Sequence, residues 1–290
     1  GLNMSRVFRV STGIDQTLTP MLRVSFGYMA VRGIDVLHGV NVNAPDPTLG
    51  GLRPDPRFAN VIALASDANT HTNQFNATMN VNLSPGRPPS NPPRWNWRRT
   101  NLRFNYWLAE INNNSDGPFS VSPTGTLTTE WGPAANDRRH RVAAQINTQV
   151  LRDLNATLSL ATISGLPYTI TTGFDGNGDS IFNDRPLGVG RNTARTDSQV
   201  TWNLNASYTL RMGARRPSAM QDGQRERDRA GDAQAANANR YRLTFTVNLT
   251  NLTNRSNFTG YSGVMTSPFF EQPTAVLNPR KVDIGMTFGF

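Results

Sequence analysis

The feature that most constrains this chain is a two-residue alternation of apolar and polar side chains that recurs along its length. Tyr241, Leu243, Phe245, Val247 and Leu249 alternate with Arg242, Thr244, Thr246, Asn248 and Thr250. That spacing puts all five apolar side chains on one face of an extended strand. Val200, Trp202, Leu204, Ala206, Tyr208 and Leu210 repeat the pattern, as do Phe75 to Leu83 and Leu102 to Leu108. Further segments near residues 5–18, 21–32, 138–150, 154–164 and 279–290 bring the expectation to nine strands. No segment shows the 3.6-residue period of an amphipathic helix.

The lengths carry more information than the number. Most of these segments reach about 9 to 12 residues, where a soluble strand averages about 5 or 6 and a tilted strand crossing a bilayer needs about 9 to 11. Short links at 17–20 and 152–155 alternate with long Gly/Pro/Asn/Asp-rich stretches near 33–70, 113–137, 165–195 and 254–278. Short turns on one side and long loops on the other are the asymmetry of an outer-membrane barrel. Two links break the rule: a Pro-rich stretch at 84–96, and a polar insertion at 211–239 whose composition reads as mobile.

Alternation alone also fits a soluble β-sandwich with a carbohydrate-binding or adhesive surface, so the polar face has to discriminate. Charged residues make up 17% of the chain, against roughly 25% in soluble domains. Lys281 is the single lysine and there are four glutamates, whereas a solvated sandwich surface uses Lys and Glu freely. Asn, Thr, Ser, Gln and Gly suit a wet or plugged lumen instead. Tyr28, Trp97, Trp202, Tyr208, Tyr241 and Phe290 are expected toward strand ends, where interfacial aromatic girdles lie. In lipid every backbone group must be paired, so such a wall closes on itself. Nine antiparallel strands cannot close, because the first and last run the same way. The expectation is therefore an all-β, antiparallel transmembrane barrel of which residues 1–290 form an incomplete wall.

Several blocks then carry a family resemblance. Arg53-Pro54-Asp55-Pro56-Arg57-Phe58, Asp116-Gly117-Pro118-Phe119, Glu130-Trp131-Gly132-Pro133, Arg139-His140-Arg141, Gly165 to Gly173 and Asn183-Asp184-Arg185-Pro186 follow one another in order. Asn257 to Tyr261, Thr266 to Phe270 and Asn278-Pro279-Arg280 complete the set. Together they resemble the C-terminal barrel of Oar-like TonB-dependent outer-membrane receptors. The resemblance implies a plugged barrel of about 22 strands in a Gram-negative outer membrane, taking up an unidentified ligand with energy from the TonB complex. This sequence would be its last nine strands, without the plug, the N-terminal regulatory-like module or the TonB-binding segment. The last strand, Val282 to Phe290, resembles the signal read by the barrel-assembly machinery, with Phe290 as its aromatic end.

Candidate chemistry is sparse. Asp175, Asn177 and Asp179, followed by Asp184, place side-chain oxygens at alternate positions in a Gly-rich loop that could converge on Ca²⁺. Ser180 stands where an EF-hand needs its Gly and Pro186 where it needs its Glu, so a self-bonded Asx turn is the competing reading. With no cysteine, and with His38, His71 and His140 outside any nucleophile or metal-ligand motif, an enzyme is not expected. The net charge of +9 raises the question of nucleic acid. Dispersed arginines such as Arg98, Arg99, Arg138 to Arg141, Arg215, Arg216, Arg225, Arg227 and Arg229 match no reading motif, so lipopolysaccharide phosphates are the expected anionic partner. The Asn-x-Ser/Thr triplets, Asn205 and Asn251 among them, follow automatically from a face built of Asn and Thr.

Overall fold

The computed structural model describes residues 1–85, 94–213 and 241–290. Within them the strands are β1 (Arg6–Thr19), β2 (Leu22–Asn41), β3 (Ile62–Asn82), β4 (Thr100–Asn113), β5 (Gly132–Pro133), β6 (His140–Thr148) and β7 (Leu154–Ile163). They continue with β8 (Pro167–Tyr168), β9 (Ala194–Arg195), β10 (Gln199–Met212), β11 (Tyr241–Thr250), β12 (Phe258–Tyr261), β13 (Pro273–Val276) and β14 (Lys281–Gly289). Nine long strands form one antiparallel sheet in the order β1-β2-β3-β4-β6-β7-β10-β11-β14, so each pairs with the next long strand in sequence. The short strands lie in the connections.

From β2 to β14 the register aligns like with like. One row runs Leu22, Val81, Leu102, Ile146, Leu158, Leu204, Leu249 and Val282. A neighbouring row on the other face runs Asn82, Asn101, Asn147, Thr157, Asn205, Asn248 and Asp283. A slip of one residue in any strand would move its apolar set into the polar face. Polar pairs also bond across strands: Thr157 Oγ1 donates to Asn147 Oδ1 at 2.8 Å, Thr78 Oγ1 donates to Asn105 Oδ1 at 3.1 Å, and Asn205 Nδ2 donates to Asn248 Oδ1.

The apolar row starts beside the short turn on β2 and ends beside a long connection on β14. This climb of about one residue per strand corresponds to strands tilted by roughly 35°, the stagger a sheet needs in order to curl into a barrel.

Among the described residues no second layer packs on the apolar face. Among the described residues the buried hydrophobic side chains are Ala68, Ala109 and Ala134. Phe26, Met79, Phe104, Ile146, Phe245 and Ile284 stand 38% to 78% exposed. A β-sandwich would bury these rings and branched chains between two sheets, so the sandwich alternative gives way and the chain is an open piece of barrel wall. Near the short-link end Tyr241, Phe288 and Phe290 form a run of stacked rings on this face, with centroids 5.9 and 6.2 Å apart.

Two expected boundaries move. The stretch expected as a loop near 33–70 is strand at both ends, because β2 runs on to Asn41 and β3 begins at Ile62; the connection proper is 42–61. Register shifts between Gly33 and Val36 and between Val36 and His38, with Asp35 at φ 58°, break the alternation on which the expectation rested. The expected insertion at 211–239 begins inside β10, which ends at Met212. From residue 214 to 240 it lies outside the described residues, with Arg215, Arg216, Arg225, Arg227 and Arg229, as do residues 86–93 of the Pro-rich link.

Val247 sits in mid-wall between Ala206 and Ile284. Val247→Arg is expected to destabilise the lipid-inserted form by about 2–4 kcal/mol, read as a lower urea midpoint in vesicles. Thr246→Arg, one residue along on the polar face, should leave the midpoint near the wild-type value.

Candidate functional site

The four long connections, residues 42–61, 114–139, 164–198 and 251–280, all leave the wall at the same end. They pack there into a cap whose interior is polar. Its buried side chains include Asn43, Ser115, Glu130, Asp137, Asp179, Arg191, Asn192, Asn251 and Asn257.

Asparagine organises individual connections. Asn43, 2% exposed, accepts from Asp55 N and donates to the carbonyls of Asp55 and Phe58, which folds 42–61 back on itself. Asn251, at φ 50°, accepts from Arg255 N at 3.1 Å and donates to the carbonyls of Arg255 and Asn278. Asn257 bonds both backbone groups of Val200.

Arginine ties one connection to another. Arg185 donates both terminal nitrogens to the Glu130 carboxylate at 2.7 and 2.6 Å, with both side chains buried. Arg191 reaches Asp116 at 2.5 Å and also donates to Glu130 O and Asn113. Arg195 pairs with Asp137, which is fully buried and also accepts from Ile111 N at 2.9 Å. Three guanidinium–carboxylate pairs thus join 164–198 to 114–139. Arg53 extends the network by donating to Gly178 O at 2.7 Å and Ser180 Oγ at 3.0 Å. On the far side Thr171 pairs with Val264, and Tyr168 stacks on Tyr261 with centroids 6.0 Å apart. The backbones approach so closely that a Cβ on Gly165 would land on Thr196 O, and one on Gly263 on Thr169 O. Burial, with Glu271 nearby, pushes the Tyr168 phenol up.

Partial burial of Asp116 works against ionisation, but the Arg191 charge and hydrogen bond outweigh it and hold the carboxyl below its ordinary value. On Arg138, burial and the neighbouring Arg141 charge lower the guanidinium pKa.

Between these connections lies a cavity of about 530 Å³ whose wall includes Phe119, Val121, Thr171, Ile181, Asn183 and Arg185. Its position between the packed connections, with polar and apolar groups together in its wall, makes it the natural candidate for a binding site.

The structure brings Asp175, Asn177, Asp179 and Asp184 into one loop. Their oxygens accept from backbone amides: Asp175 from Asp179 N and Ser180 N, Asn177 from Asp179 N, Asp179 from Ile181 N, and Asp184 from Gly176 N. Among the described residues no group of three or more His, Asp or Glu is arranged to hold a metal ion. His140 bonds Tyr106 OH through Nδ1 at 2.8 Å.

Sequence reasoning did not identify Arg191, Arg195, Asp137 or Asn43 as organisers of the cap. No local signal marks them, since most of their partners lie 10 to 78 residues away.

No protein-family model and no curated protein matches the sequence. Solved structures do. The outer-membrane transporter YddB from Escherichia coli superposes with a TM-score of 0.57 at 14% identity, over 99% of this chain and 32% of that one. FpvA of P. aeruginosa, solved in complex with a pyoverdine and iron, gives 0.51 at 11% identity, over 99% and 27%. The siderophore receptor PiuA from Acinetobacter baumannii gives 0.50 at 9% identity, over 98% and 28%. The chain therefore shares the β-barrel fold of those structures and spans between about a quarter and a third of their length.

Two outcomes test the cap. Glu130→Ala leaves Arg185 buried without its carboxylate and is expected to cost about 3–5 kcal/mol of local stability, read as faster amide exchange across 164–198 with exchange in the wall unchanged. Because the Asp116 pKa is depressed on folding, its contribution is present above the ordinary carboxylate range and lost as pH falls through the lowered value. Amide exchange near Asp116 and Arg191 should therefore accelerate below about pH 4, and Asp116→Asn should flatten that dependence.

Proposed function

We propose that this chain is part of the barrel of an Oar-like TonB-dependent outer-membrane receptor or transporter, and that its capped end faces the outside of the cell and captures a ligand. The observation that carries this reading is the exposed apolar face shared by nine tilted antiparallel strands, with no second layer behind it among the described residues. Hydrocarbon chains are the partner that satisfies such a face.

In this reading the Asn/Thr/Arg face lines the interior. Lipopolysaccharide phosphates meet rim arginines such as Arg138, and β14, with Phe290 after it, is the strand that the assembly machinery engages. Energy-coupled uptake would use a plug and a TonB-binding segment in addition to the residues described. The function is passage and capture, without chemistry on the ligand.

Fractionation is the direct test. The chain should sediment with outer membranes, require detergent for extraction and migrate faster on gels before boiling than after. Added to whole cells, protease should cut within 42–61, 114–139, 164–198 or 251–280 and spare the links at 20–21 and 149–153. Recovery in the soluble fraction, or cleavage confined to the short links, would falsify the proposal.

A further inference from the structure

The cavity in the cap has a chemistry of its own. Its two guanidinium groups are both engaged: Arg185 lies bidentate on Glu130, and Arg191 holds Asp116 at 2.5 Å. Charge in the wall is thereby cancelled, and an anionic or cationic ligand would have to break a buried ion pair to find a counter-charge.

The groups still open are neutral. Thr171 Oγ1, Ser120 Oγ, Asn60 Nδ2 and Asn114 Nδ2 line or border the cavity and make no hydrogen bond among the described residues. Asn183 donates Nδ2 to Val121 O at 2.9 Å while its Oδ1 is buried without a partner. Between these polar groups lie Ile62, Val121, Leu127 and Ile181, and the Phe119 ring, 90% exposed, borders the space.

We infer that this cavity is a subsite for a neutral saccharide. Sugar hydroxyls both donate and accept, so they can meet a mixed set of hydroxyl and amide groups. The C–H face of a pyranose ring stacks on an aromatic ring and packs against branched apolar side chains. A volume of 530 Å³ falls within the range of small-ligand pockets. The inference rests on the reading of the cap as the ligand-capturing face and adds the class of ligand.

The test uses the chain extracted from outer membranes in detergent. Heat-modifiable migration first establishes that each preparation is inserted and folded. Equilibrium binding is then measured for maltose, cellobiose and chitobiose, against sialic acid and inorganic phosphate. Saturable binding of a neutral sugar is expected. It should weaken about threefold to tenfold for each hydroxyl removed in Thr171→Val and Ser120→Ala, weaken in Phe119→Ala, and stay unchanged in Phe174→Ala, an exposed ring outside the cavity. Folded, inserted protein that binds no neutral sugar, that prefers the anions, or whose binding ignores the cavity variants overturns the saccharide assignment and leaves the barrel reading standing. Protein that never enters the membrane overturns both.

Discussion

Every other feature of this molecule follows from the need to pair the backbone N–H and C=O groups along its length. A helix meets that need within itself and a sheet meets it between strands. This chain takes the second route, with nine long strands in which each residue's backbone partner lies on a neighbour. Once the ladder is fixed, the period of two sorts side chains onto two faces without further instruction. Leu22, Val81 and Leu102 then meet one another, and Asn82, Asn101 and Asn147 do the same on the reverse side.

The usual relation between fold and core is inverted as a result. A soluble domain holds itself together by burying Leu, Ile, Val and Phe. Here those residues form the outside, and the side chains removed from solvent are largely asparagine, arginine and carboxylate, gathered where the strands end. Buried ion pairs contribute little net stability over an apolar replacement, yet breaking one is severe. Their value in the cap is geometric: the bidentate Arg185–Glu130 pair and the Arg191 fork fix how one connection sits on another, which an oily contact would do less sharply.

What could be read from the sequence and what could not follow from the range of each interaction. The nine strands were legible because alternation is a property of adjacent residues. The outer halves of β2 and β3 were not, since the register shifts around Asp35 break the phase of the alternation. The Asp175–Asp184 turn was legible as a self-bonded loop because its acceptors and donors lie within eight residues of each other. The blocks containing Asp116, Glu130 and Arg185 were noticed as resemblances, but nothing local says that Arg185 turns toward Glu130, 55 residues earlier. Arg191 and Arg195 fall outside those blocks, and their partners are set by how two connections cross.

The order of strands in the sheet has a kinetic side. Each long strand lies against its successor in the chain, so the wall can grow by adding one hairpin at a time, with little loop-closure entropy lost at each addition. The cap is the opposite case, since its ion pairs join residues 55 to 75 positions apart. Those partners come within reach only after the intervening hairpins have docked. Ordering of the cap would therefore be a late event during assembly, and a mispaired hairpin would show itself there first, as arginines left facing solvent above an otherwise well-formed sheet.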